Sequence, residues 1–412
     1  MTTTQLKGLS VAQAGALTTT NVGALATTQV SALSSTQLAA VSETSFSALN
    51  ATQVGALADT HIKALTASQL KGLTTTDMGE LSTTQLATLS VAQMASLSPT
   101  NVSALNSTQT AALTTTQIKG LTTTQLGGLS TTDLGELTTT QVGALTTAQL
   151  NFLGSNVSAF NATQMAALTT TQIKGLTNTQ LSGLTTTDIG ELTTTQVESL
   201  SAAQVGLLAT TQAAQLSTTQ LGALSATQVG ALTTTAFSAL DATQVGTLST
   251  TQLKGLTTAQ LGALTTTDVG ELRTTQISSL ATTQVAALSA TSLSALNTTQ
   301  AVALTTTQVK ALTSTQLKGL SATDIGELAS TQVGALTSSQ VGQLTTTVIA
   351  ALTTTQMGML QATQIPGLTT TQLDFLSTTN IEALTSTQAN ALTQTQVQSL
   401  SNDQVTSYVK VI

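Results

Sequence analysis

The sequence predicts an all-α solenoid of about 51 short capped helical turns, one for each copy of an eight-residue repeat. Three observations lead there. The repeat holds a constant register along the chain, each copy carries the signals that start a helix, and its apolar spacing forbids one long helix. A β-solenoid is the alternative.

The register is easiest to follow at the fifth position of each octad. Gln5, Gln13, Asn21 and Gln29 follow at a step of eight through Gln149, one residue is missing between Leu153 and Phe160, and the step resumes from Asn156 to Gln404. Gln occupies that position in 37 of the 51 copies, so the repeat fills the chain and leaves no segment for a separate globular domain. Residues 1–399 form the array, and 400–412 a degenerate last repeat with a C-terminal tail. Position one is nearly always Leu, two is usually Thr or Ser, six is Val, Leu or Ile, and eight is mostly Ala or Gly. Leu137 to Ala144, reading Leu-Thr-Thr-Thr-Gln-Val-Gly-Ala, is the commonest wording.

A hydroxyl residue followed three places later by Gln or an acid is a capping box. The hydroxyl accepts from the backbone N–H of the third helical residue, and the Gln reaches back to the cap. The Leu before the cap and the apolar residue after the Gln stand five apart, the spacing of a hydrophobic staple. Pro99, directly after Ser98, falls on the first helical residue, where a missing N–H costs nothing. Pro366, at position seven, conflicts with this phase because it removes a donor late in the helix.

One uninterrupted helix fails on geometry. Eight residues turn through about 800°, so the apolar positions drift by roughly 80° per copy and no stripe forms. The chain must bend once per octad. The β alternative draws on the Thr and Val content. Parity opposes it, since positions one and six fall on opposite faces of a continuous strand. Val102 and Leu105, three apart, share one helix face.

Aromatic residues make up 1% and charged residues 7%, so the expected core is a thin one of Leu, Val and Ala. A net charge of −7 offers no basic surface to nucleic acid. The chain has no Cys, which excludes disulfides and thiolate metal sites. No apolar run approaches the roughly 18 residues of a membrane span. Met1-Thr2-Thr3-Thr4-Gln5-Leu6 is already in register, without a charged start and apolar stretch, so any export address is expected elsewhere, the tail included.

The exceptions, taken in order, begin with His61, which stands in place of Gln and is expected to face solvent. Five octads carry Asp at position five and Glu at position eight: Asp77 and Glu80, Asp133 and Glu136, Asp188 and Glu191, Asp268 and Glu271, Asp324 and Glu327. Lys63, Lys119, Lys174, Lys254 and Lys310 lie 17 residues before those Glu residues, an offset that would pair charges if each octad stacked on its second neighbour. Block duplication explains the same spacing. The Asp and Glu also supply half of a calcium shell, short of the six to eight oxygens that ion takes, and a solvated acidic face is the plainer reading. Phe46, Phe152, Phe160, Phe237 and Phe375 read as local fillers. The close, Tyr408-Val409-Lys410-Val411-Ile412, differs from everything upstream and suits a cap, a secretion address or a docking strand.

No catalytic, cofactor-binding or metal-ligating residue is assigned, and no enzyme is expected, since a lone His among many hydroxyls makes no positioned base and nucleophile. Solenoids normally close with polar capping repeats, and the first octad here resembles an interior one. Open ends of one handed stack are complementary, so the expected partner is the chain itself, in a head-to-tail homopolymer. The function predicted is a structural one, as subunit of a filament or as a rigid surface spacer. An ice- or surface-binding protein with regular Thr-x-Thr arrays is the alternative, tied to the β fold.

The Leu-Thr-Thr-Thr-Gln-Val-Gly-Ala wording resembles the Thr- and Gln-rich octapeptide arrays of large secreted and surface proteins of Gram-negative bacteria, among them adhesin-like and extracellular filament proteins. The resemblance covers essentially the whole chain. It implies an extracellular or cell-surface location and a structural role, with the cell surface or neighbouring filaments as further partners, and it transfers no catalytic residue.

Overall fold

Helix starts recur because position two repeatedly offers a hydroxyl to the N–H of position five. The computed structural model describes residues 1–412 and contains no strand. Each octad forms one short helix, and the result is an all-α solenoid. In Thr139–Ala144 the Thr138 N–H donates to Gln141 Oε1 at 2.8 Å while Gln141 N–H donates to Thr138 Oγ1 at 3.3 Å. The reciprocal cap predicted at position two is therefore present, and Pro99 is the first residue of Pro99–Ser103. Where Ala stands at position two, as at Ala281, only the returning Gln bond remains.

The chain divides into two compact units, Met1–Leu200 and Ser201–Ile412. In the first, Val11–Gly15 packs on Ser35–Ala40, which packs on Asp59–Ala64. In the second, Ala202–Val205 packs on Ala226–Val229 and that on Thr250–Lys254. Each helix thus stacks on its third neighbour, not its second, so a turn takes more octads than the 17-residue charge offset implied. With no strand present, the flat Thr-x-Thr array of the ice-binding alternative has no basis.

The core is two residues deep per octad. Leu at position one and the apolar residue at position six are buried along both units, as at Leu65, Leu70, Leu248 and Leu253. Position eight is small because it meets the helix start 29 residues back. A Cβ on Gly255 would stand 2.1 Å from the Ala226 carbonyl oxygen, and one on Gly120 would stand 2.3 Å from Val91 Cγ1. Of the aromatic fillers, Phe46, Phe160 and Phe237 are buried, whereas Phe152 and Phe375, at position eight, are more than half exposed.

Two octads depart from the α-helix, and both were marked by the sequence. The seven-residue copy forms the 3-10 turn Gly154–Ala159, entered through Gly154 at φ +56°, a left-handed conformation that glycine adopts without a Cβ clash. The copy with Pro366 forms the 3-10 turn Ile365–Gly367, in which Gly367 N–H donates to the Gln364 carbonyl at 2.9 Å. The conflict raised by Pro366 is resolved locally, by tightening the turn instead of shifting the phase. The tail is helical: Asn402–Val409 extends the last octad, and Lys410 Nζ reaches Glu382 Oε1 at 2.6 Å. A docking strand is thereby excluded. No helix is long and apolar enough to cross a membrane.

Candidate functional site: the clamp between turns

A Gln side chain has an acceptor and two donors, and the capping box uses only the acceptor. The free amide of Gln141 donates to the carbonyls of Thr110 at 2.7 Å and Leu113 at 2.8 Å, 31 and 28 residues earlier. Gln308 does the same to Ile277 at 2.9 Å and Leu280 at 2.8 Å. Those carbonyls close the helix one turn back, where backbone acceptors run out of partners. Position five therefore joins the start of its own helix to the end of the helix beneath it, and it is buried for that reason.

Substitutes at position five show what the clamp demands. Asn101 and Asn380 keep one donor bond, to Leu73 at 2.9 Å and Leu352 at 2.8 Å. Ser45 and Ser292 give a hydroxyl to Leu17 and Leu264. His61 is buried, which corrects the solvent-facing expectation: its Nδ1 accepts from Ala58 N–H at 3.1 Å and Nε2 lies 2.8 Å from the Leu33 carbonyl. That pair of bonds fixes the neutral tautomer with hydrogen on Nε2, an imidazole standing in for an amide.

Aspartate cannot substitute in this way, because an ionised carboxylate only accepts. In all five acidic octads the Asp instead takes a hydrogen bond from a Ser 30 residues earlier. Ser103 donates to Asp133 at 2.6 Å, Ser158 to Asp188 at 2.6 Å and Ser294 to Asp324 at 2.5 Å, and the Ser47–Asp77 and Ser238–Asp268 pairs have the same geometry. The same carboxylate oxygen also accepts the N–H of its own cap, as Asp188 does from Thr185 at 2.7 Å. The backbone carbonyls that a Gln would have taken are left without it. A cavity of about 20 Å³ lies beside Asp324 against Leu293, Leu296 and Leu304.

The accompanying Glu lies over the helix start 29 residues back. Thr298 Oγ1 donates to Glu327 Oε1 at 3.1 Å, and the Ala51 backbone holds Glu80. The residues set against these Glu side chains are thus not the Lys residues 17 places away. Burial pushes the carboxyls of Glu80 and Glu271 up from the ordinary value, with Asp77 adding to the first and Asp268 and Asp241 to the second. Glu80 Oε2 and Glu271 Oε2 are buried without a hydrogen-bond partner. Glu382 is held below the ordinary value by hydrogen bonds from Lys410 and Ser407 and by the Lys410 charge.

Because every clamp reaches backwards, the two faces of a turn differ. The amides of Gln5, Gln13 and Asn21 are exposed, and Gln29 donates to the Met1 carbonyl. Late in the chain Gln404 donates to Leu373 at 2.7 Å and Leu376 at 2.8 Å. Each turn offers amide donors to the turn before it and helix-end acceptors to the turn after it.

Residues 237–274 match the ALTTAQ repeat family. The match supports a Thr-rich repeat protein. No curated protein matches the chain.

Proposed function

We propose that the protein is a non-catalytic structural element, an extracellular or cell-surface filament subunit or rigid spacer that lengthens by joining copies head to tail. The observation that supports this reading is the opposite hydrogen-bonding sign of the two faces of each turn, amide donors on one and helix-end carbonyls on the other. The exposed amides of Gln5, Gln13 and Asn21 stand eight residues apart, the step that separates position-one carbonyls along the array. A second copy that lays a turn of helix-end carbonyls against these donors makes the same clamp between molecules. A contact of this kind between unlike surfaces repeats without closing. The neutral Thr and Ser that dominate positions three and four suit a surface exposed to water along its length.

Electron microscopy of the purified chain tests the proposal, with Gln5→Glu/Gln13→Glu/Asn21→Asp as the comparison. Each substitution retains the oxygen that caps its own helix and removes the donor. Fibres are expected from the original chain and single particles, with unchanged helical circular dichroism, from the variant. Folded original chain that stays monodisperse at high concentration overturns the proposal.

A further inference from the structure

We infer that the five acidic octads are register keys: two-part marks that fix which octad lies over which in an array whose copies are otherwise nearly interchangeable. The first half of each key is an upstream Ser followed three residues later by Asn or Asp. These are Ser47 and Asn50, Ser103 and Asn106, Ser158 and Asn161, Ser238 and Asp241, Ser294 and Asn297. The second half is the Asp and Glu of the acidic octad, with Asp 30 residues after the Ser in every case. Asn or Asp stands at position two in these five octads and in no others. The fold brings the halves together, with Ser hydroxyl on Asp carboxylate and Glu over the helix start that the Asn or Asp caps.

The need for such a mark follows from the clamp. A Gln finds two backbone carbonyls in whichever octad lies beneath it, so 37 of 51 octads accept a wrong neighbour as readily as the right one. If one octad loops out between the halves of a turn, the rest of the array re-forms eight residues out of step with all its Gln bonds intact. An Asp in that position has no donor. Asp77 would lie at the offset of Ala39 instead of Ser47, and Asp133 at that of Ala95 instead of Ser103. The carboxylate, buried at Asp77, Asp188 and Asp268, then loses its hydroxyl partner, keeps only the N–H of its own cap and faces carbonyl oxygens on the turn beneath. The keys thus penalise the slipped arrays that Gln tolerates, and specificity of this kind is obtained by making the alternatives worse.

The Cys-free chain allows a direct test by disulfide trapping. Position 120 lies over position 91, where a Cβ on Gly120 would stand 3.3 Å from Val91 Cβ, so Val91→Cys with Gly120→Cys reports the native register. Thr83→Cys with Gly120→Cys reports a slip of one octad. Each pair is placed in the original chain and in one carrying Asp77→Gln, Asp133→Gln, Asp188→Gln, Asp268→Gln and Asp324→Gln. After unfolding and refolding, the original chain is expected to form only the 91–120 bridge. The Gln chain is expected to keep its helicity and a Tm at least as high, and to form the 83–120 bridge in several-fold greater yield. Two results overturn the inference: a Gln chain whose 83–120 yield matches the original, or one that loses its helicity, which would make the acids stabilising groups rather than register marks.

Discussion

His61 shows how far one position can be read as a job and not as a residue type. Its two ring nitrogens perform the two tasks of a Gln amide, one toward Ala58 and one toward Leu33. His61→Gln is therefore expected to leave stability within about 0.5 kcal/mol of the original. His61→Ala leaves the Ala58 N–H and the Leu33 carbonyl unpaired and is expected to cost about 1 to 3 kcal/mol, read from urea titrations. Glu80 and Glu271 behave in the opposite sense. Because their folded-state carboxyls titrate above the ordinary range, the folded chain holds protons that the unfolded chain has released. Their contribution is fully present below the unfolded value and is lost as pH rises through the folded one. Glu80→Gln with Glu271→Gln is expected to raise Tm at pH 7 and to flatten its rise between neutral and mildly acidic pH. An unchanged pH profile would show that burial of these carboxyls carries no cost.

At the scale of the element, the helix start is the most legible feature and the turn-to-turn bond the least. Caps such as Thr138 with Gln141 follow from two residues three apart, so local spacing is enough to find them. The second use of the same Gln lies 28 and 31 residues away on backbone carbonyls, which carry no sequence mark. Burial of position five, and with it the role of His61, was hidden for that reason. The stacking offset was misjudged through Lys63 and Glu80, charged residues that the fold does not set one turn apart, whereas Ser47 with Asp77 held the true offset in plain view. Pairing each acidic octad with whatever is unusual 27 to 30 residues upstream would have found it. Caps absent from the sequence mark places to add stability. Ala281 supplies no side-chain acceptor, and Ala281→Thr is expected to stabilise by about 0.5 to 1 kcal/mol, measured as a shift of the urea midpoint at constant slope.

At the scale of the whole molecule, stability is close to a sum of repeats and the interfaces between successive turns. The array's packing across the sequence joins residues about 30 apart, each helix to the third one along. In such an array the repeats decide that a coil forms, and the exceptions decide which one.

The clamp also has a direction in time. Its donor always lies later in the chain than its acceptor, as Gln141 does relative to Leu113 and Gln308 relative to Leu280. A polypeptide that emerges from its N-terminus therefore has each landing place finished before the side chain that grips it appears. Winding can trail synthesis by about one loop of the coil, each finished turn holding its carbonyls open for the next.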